Sequence, residues 1–281
     1  MINSSDQLVL LSETPPATTG GVFLCRDLVD SAGALTVISG NTPDWSDYTM
    51  MGTTHALTGA AAWLAAAPHL FPNARPAELA AGAVIAAGFA VVPDLDHPDA
   101  TAARRLGLVG KGLAHVVARV AGGHRQGTHS LFSVGVVSLL VWSLVKFASS
   151  PIPLAVLAAF GVFLGSGLLV RVVGGWASAG ATVILGLAAG AAIYVDFVTP
   201  SIAALAVVLG YAMHLAGDAI TTNGIALWWP VSSSRVGVPL MRTESATETV
   251  VRIGFLALTL WLAWSVLLDP AAAPAVLVAN T

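Results

Sequence analysis

The stretch Phe197–Asp218, FVTPSIAALAVVLGYAMHLAGD, decides how the rest of the chain is read. Its first 21 residues hold no Asp, Glu, Lys or Arg. At about 1.5 Å per residue, a helix of that length crosses a hydrocarbon layer of about 30 Å. The polar groups come at its end: His214 and Asp218 stand four residues apart, on one face of a helix. Working outward, the pattern repeats. Twenty-four uncharged residues separate Lys146 from Arg171, and Val172–Val195 is another uncharged run of 24. Both are built from Ala, Val, Leu and Gly with few prolines, a composition suited to helices packed closely through small residues.

The whole chain agrees. Of 281 residues, 56% are hydrophobic and only 10% charged, with a mean hydropathy of +0.81. A soluble domain carries about 25% charged residues, so water is not the solvent for most of this surface. The expected fold is an all-α, polytopic transmembrane helical bundle. About seven spans are predicted, near 55–71, 77–93, 129–147, 152–170, 176–194, 199–217 and 250–268. The first, second and seventh are short or interrupted, which suits helices that tilt or lie inside the bundle. Residues 1–50 are rich in Ser, Thr, Gly and Asp without sustained periodicity and read as a poorly ordered tail. The abrupt start of the apolar pattern also allows translation to begin at Met50 or Met51. The membrane domain is then 51–270, with a short C-terminal tail at 271–281. No secretory signal peptide is visible in the first 50 residues, and the single Cys25 excludes an internal disulfide or a thiolate metal cluster. The net charge of −3 gives no hint of partners, and no nucleic-acid partner is expected.

Basic residues orient the bundle. With seven spans, one face holds Arg26, Arg104, Arg105, Lys111, Arg119, Arg125, Arg171, Arg235, Arg242 and Arg252, and the other only Arg75 and Lys146. The N-terminus and the loops 98–128 and 218–249 are therefore expected in the cytoplasm, with the C-terminus outside. Within the first loop, Lys111, His115 and Arg119 recur at helical spacing, while Val109, Leu113, Val116, Val117 and Val120 fall on the opposite side of the wheel. Two readings fit: a helix in the headgroup layer against anionic lipid, or a cytoplasmic helix covering the bundle.

The chemistry-bearing residues gather at span ends. His55 opens the first span; Asp94, Asp96 and His97 close the second; His124 and His129 precede the third; His214 and Asp218 close the sixth. Counting spans puts all four motifs on the cytoplasmic face. Imidazoles and carboxylates together suit divalent zinc, manganese or iron. Eight such groups allow one or two ions, and two ions close together activate water and hold a phosphoryl oxygen. Ionisable groups at a membrane are expensive unless paired or metal-bound. Arg125 is a candidate phosphate contact, because guanidinium matches phosphate oxygens bidentately, and Asp96 a candidate catalytic carboxylate. Glu248, at the start of the seventh span, reads either as a general base or further ligand, or as an ordinary helix N-terminal charge. His69 falls at the opposite face and His115 on the basic helix; neither is expected to ligate. Trp228, Trp229 and Pro230 read as an interfacial anchor. HExxH, a Walker loop and GxSxG are all missing, which disfavours a zincin-type protease or an ATP-driven pump.

At these motifs the chain resembles the YdjM-like family of LexA-regulated inner-membrane proteins described as metal-dependent hydrolases. The resemblance rests on Met51-Gly52-Thr53-Thr54-His55, on Pro93-Asp94-Leu95-Asp96-His97, on His124-Arg125-Gln126-Gly127-Thr128-His129-Ser130, and on His214 and Asp218 followed by Gly224, Trp229 and Pro230. It covers about residues 51–250 and supports Met51 as the start. Thr243-Glu244-Ser245 departs from it, since the family has Gly at the middle position. The motif order is also distantly similar to zinc-dependent phospholipase C and P1-type nucleases. These resemblances imply a metal-dependent hydrolase with zinc as the favoured ion, a phosphoester substrate (lipid phosphoesters included) and membrane lipid as a partner. The alternatives are a divalent-metal transporter or channel, and a membrane anchor or sensor with a structural metal.

Overall fold

In a computed structural model of the protein, residues 50–173, 177–240 and 245–268 are described. The predicted tails and the departing loop at 243–244 lie outside them. The chain divides into two units, Met1–Trp45 and Ser46–Thr281, of which the second carries all that follows.

Among the described residues, each of the seven predicted stretches coincides for most of its length with a helix. The long helices are α1 (Met50–Leu70), α2 (Pro76–Phe89), α5 (Leu131–Phe147), α6 (Ile152–Val173), α7 (Ala177–Tyr194), α8 (Pro200–Ala219) and α9 (Ala246–Ala263). Between α2 and α5 lie the short α3 (Thr101–Arg105) and the amphipathic α4 (Gly107–Ala121). Among the described residues, three helical segments are long and apolar enough to cross a membrane: Pro76–Asp96, Pro200–Ala219 and Ala246–Leu268. Leu131–Phe147, Ile152–Ser166 and Gly180–Tyr194 are shorter apolar helices. α1 has the length but, with Thr53, Thr54, His55 and Thr58, lacks the hydropathy.

That difference follows from position. α1, α2 and α8 pack on one another and share a core that includes Trp63, Leu64, Ile85, Ala86, Ile202 and Val207. The Trp63 indole donates to the Leu79 carbonyl at 2.8 Å. α8 approaches α2 so closely that a Cβ on Gly210 would lie 2.2 Å from the Ala86 carbonyl oxygen. By contrast α5, α7 and α9 turn large apolar side chains outward, among them Leu139, Trp142, Ile184, Leu187, Leu256 and Trp261. α4 does the same. Its buried residues are Gly110, Ala114 and Ala121, while Leu108, Val109, Val116 and Val120 are exposed. The helix therefore lies against the bundle by its small residues, and among the described residues its large apolar side chains are exposed.

Candidate metal centre

The end of α2 is fixed by Pro93, which has no N–H to give and whose ring would clash with the carbonyl four residues back. The chain tightens instead into a 3₁₀ turn, Val92–Asp96, which carries Asp94 and Asp96. Gly122, with φ +80°, ends α4 and reverses the chain toward His124 and Arg125. A second 3₁₀ turn, Gly127–His129, leads into α5, whose first N–H groups are capped by the Ser130 hydroxyl (3.2 Å from Ser133 N). α8 brings His214 and Asp218, and the first turns of α1 bring His55. All of these ends meet at the same end of the bundle.

Hydrogen-bond partners fix the histidine tautomers. His214 Nδ1 lies 2.8 Å from the carbonyl oxygen of Ala90. A carbonyl only accepts, so Nδ1 carries the proton and Nε2 presents a lone pair. The Thr128 hydroxyl donates to Asp96 Oδ2, which leaves it to accept from His129 Nδ1 at 2.9 Å. His129 Nε2 is therefore bare as well. The two bare nitrogens stand 3.0 Å apart, in full burial.

Two carboxylates complete the set. Asp94 Oδ1 lies 3.6 Å from His129 Nε2 and 3.5 Å from His214 Nε2. Asp218 Oδ2 lies 3.3 and 3.6 Å from the same two nitrogens. Four donors at about 2.0–2.2 Å from one tetrahedral ion stand about 3.3–3.6 Å from each other. The four carboxylate–imidazole separations, 3.3–3.6 Å, match that figure; the two imidazole nitrogens, 3.0 Å apart, stand slightly closer, and all four donor atoms lie within 4.8 Å of one another. Asp218 Oδ2 is buried without a hydrogen-bond partner, which is costly for a charged oxygen unless a cation satisfies it. The donor set thus fits a divalent ion on charge, lone-pair direction and spacing together.

The residues behind the donors are equally specific. Asp218 Oδ1 accepts from Arg125 Nη2 at 3.0 Å and lies 3.3 Å from His55 Nε2. Arg125 Nη1 donates to Thr221 at 3.0 Å, and Thr221 donates to the Asp218 carbonyl at 2.8 Å. Arg125 itself holds a positive φ of 62°, uncommon outside glycine, with its carbonyl accepting from Ala226 N at 3.1 Å. Its guanidinium meets both Asp218 and Thr221. His55 stacks on His214 at 3.9 Å between ring centroids. It does so because residue 217 is glycine; a Cβ there would lie 2.7 Å from the imidazole. Asp96 takes His124 Nδ1 at 2.7 Å as well as Thr128. Asp96, His124 and His129 form a second group close enough to hold an ion, yet the hydrogen bonds of Asp96 are those of a carboxylate orienting histidines.

The eight expected ligands therefore divide. Asp94, His129, His214 and Asp218 converge; His55, Asp96 and His124 stand directly behind or beside them. His97 is further out, 4.8 Å from the His124 ring by centroids, and its Nδ1 accepts from Asp99 N at 3.2 Å. Burial lowers the pKa of His97, and His124 adds to that against the pull of Asp99, Asp94 and Asp96. Glu248 is buried in the first turn of α9 and accepts from the Thr54 hydroxyl at 3.3 Å. His69 and His115 are exposed, and neither is among the residues that converge on the cluster. The sequence reading gave no role to Thr128, Thr221 or Tyr211, whose hydroxyl donates to the Thr128 carbonyl at 2.7 Å. Tyr211 was accessible to it, since 211, 214 and 218 share one face of α8.

A family model for YdjM inner membrane proteins matches residues 50–173 and 178–273, both blocks of motifs included. The chain belongs to the YdjM inner membrane protein family. No curated protein and no solved structure matches it. Within this YdjM chain, the matched blocks contain every residue of the candidate centre, and the resemblance read from the motifs is the family the comparison returns.

Proposed function

We propose that this YdjM protein is a membrane-embedded, metal-dependent hydrolase that acts on a phosphoester at the cytoplasmic leaflet. The observation that carries the reading is the four-donor set with one open side. His129, His214 and Asp218 are at most 1% exposed, whereas the Asp94 side chain is 21% exposed and next to the partly exposed His97 and His124. Asp94 is thus the donor that an entering substrate meets. Zinc is favoured for a tetrahedral set of two imidazoles and two carboxylates, with manganese and iron as the next candidates. His129, His214, Asp218 and Asp94 would hold the ion, which would supply Lewis-acid polarisation of a phosphoryl oxygen where its shell admits a fifth ligand on the Asp94 side. Arg125 and His55 hold Asp218 by its second oxygen, and Thr128 holds His129 in the tautomer that binds. Asp96 orients His124, which is placed to hold or pass a proton at the substrate's leaving oxygen. A single ion is the simpler reading, with Asp96 and His124 as its supporting shell.

The seven-span topology and the cytoplasmic site belong to the same proposal, supported by the charge asymmetry of the loops and by α-helices at all seven stretches. Single cysteines in a Cys25-free background test it: position 111 is expected to resist membrane-impermeant reagent in intact cells. Metal analysis of purified protein, paired with a hydrolysis screen over phospholipids, isoprenoid phosphates and nucleotides, tests the chemistry. The expected result is about one ion per chain and a hydrolysis that chelator abolishes. A structural metal is the second reading, because four protein donors can by themselves fill a tetrahedral shell; bound metal without any hydrolysis would favour it. A transporter is disfavoured, since the donors gather at one end of the bundle rather than at mid-span.

A further inference from the structure

We propose that α4 and the loop after α8 form a lipid-seated collar, with the apolar face of α4 embedded in the headgroup–acyl boundary of an anionic leaflet. This stands independently of whether the metal centre hydrolyses anything.

The first observation is an inversion. A helix that caps a bundle normally turns its large apolar residues inward. α4 turns Gly110, Ala114 and Ala121 inward, and a Cβ on Gly110 would lie 2.0 Å from the Ala103 carbonyl oxygen. Its large residues point away: Leu108 is 88% exposed, Val109 75%, Val116 60% and Val120 76%. At 100° per residue Val109, Val116 and Val120 form one face, while Lys111, His115 and Arg119 form another about a third of a turn away, with Leu108 on that second side in the first turn. The helix thus has three faces: small against the bundle, apolar outward, and basic between them. A basic flank beside an exposed apolar face is the pattern of a helix lying in an interface.

Charge selects the occupant. From Ala100 to Val195 the chain holds no Asp or Glu, so α4 presents the exposed Lys111 and Arg119 with no acidic residue in that whole stretch. An anionic lipid surface complements this charge. Adjacency points the same way. The end of α4 abuts the loop: a Cβ on Gly122 would lie 3.2 Å from Trp229 Nε1. Trp229 packs edge-on to Phe132 at 5.9 Å, in the first turn of apolar α5, where Leu131 and Phe132 are both exposed. Trp228 and Val231, at 56% and 93% exposure, lie in the same loop. Exposed apolar side chains thus stand on α4, in the tryptophan loop that meets its end, and at the start of α5. A soluble protein partner or a second copy would have to cover a surface that adjoins the exposed apolar start of α5.

The test uses the full chain in nanodiscs of phosphatidylcholine and phosphatidylglycerol, with nitroxide labels on single cysteines at positions 109, 111, 116 and 120 in a Cys25→Ser background. Collision with oxygen and with a water-soluble nickel chelate reads depth. Labels at 109, 116 and 120 are expected to be several-fold more accessible to oxygen than to nickel, and label 111 the reverse. Lys111→Glu with Arg119→Glu should move the three apolar positions toward water. Equal nickel access at 109, 116, 120 and 111 would overturn the proposal. So would burial from both reagents that appears only when two copies share a disc, which would mark the face as a contact between copies. Metal content measured on the same samples shows whether labelling has disturbed the centre.

Discussion

Two arginine–carboxylate pairs in this protein have the same length and opposite meanings. Arg75 Nε meets Glu78 Oε2 at 3.0 Å, and Arg125 Nη2 meets Asp218 Oδ1 at 3.0 Å. The first joins residues three apart at the start of α2, with Arg75 58% exposed and its Nη2 tied to the Phe197 carbonyl at 2.8 Å. Both ends of that pair are satisfied locally; it caps a helix. The second joins residues 93 apart with the arginine 11% and the aspartate 1% exposed. It satisfies one carboxylate oxygen and leaves the other bare among two imidazole lone pairs. Geometry alone does not separate a cap from a centre. What separates them is the unsatisfied group that remains after every hydrogen bond is assigned.

The largest effect should come from removing that group. Asp218→Asn keeps the shape and loses the charge, and is expected to reduce bound metal to near background while the protein still inserts; elemental analysis against His69→Ala, which should keep full content, reads this. Full metal in Asp218→Asn would refute the four-donor set. Next come the supports. Arg125→Lys cannot make both the Asp218 and Thr221 contacts, and Thr128→Val removes the acceptor that fixes the His129 tautomer. Supporting groups of this kind are worth roughly 10–100-fold in metal affinity, measurable by competition with a chelating dye. Metal should also stabilise the fold: at free metal about 100 times Kd, binding adds roughly 2.7 kcal/mol, seen as a higher melting temperature that chelator removes. Gly210→Ala should then lower stability by about 1–3 kcal/mol through overpacking against α2, with a smaller loss of metal affinity as His214 shifts. Smallest of all, Glu78→Gln should change stability by less than about 1 kcal/mol and leave metal content untouched, which would sharpen the contrast between the two pairs.

Much of this was legible in the sequence because membrane helices obey a simple length rule and because ionisable groups are rare in them. The uncharged run ending in His214 and Asp218 announced both a helix and a site. Helical spacing put those two residues on one face, and span counting gathered the other motifs with them. The split between donors and supporting residues was not legible. Whether His55 meets an ion or holds Asp218 depends on Gly217 opening room for its ring, and whether Arg125 faces substrate depends on a backbone at positive φ. Neither is encoded in spacing. Thr128 lay inside a quoted motif, yet its role depends on Asp96 lying within reach of the same hydroxyl, 32 residues away in the chain. For α4 the wheel showed the faces but not which one meets the bundle; the close approach at Gly110 decides that.

The carbonyl of Ala90 has a consequence of another kind. It is available to His214 because Pro93 stops the α-helical ladder of α2, so the proton on His214 is positioned by where a helix ends rather than by any side chain. No substitution at position 90 other than one that displaces the backbone can remove that acceptor. A change of register can. Inserting or deleting one residue in the last turn of α2 rotates the terminal carbonyls by about 100° and leaves every donor in the sequence intact, yet it deprives His214 of the partner that bares its Nε2. The centre is in this sense ruled by counting: tolerant of exchange along α2, and intolerant of a single step in its length.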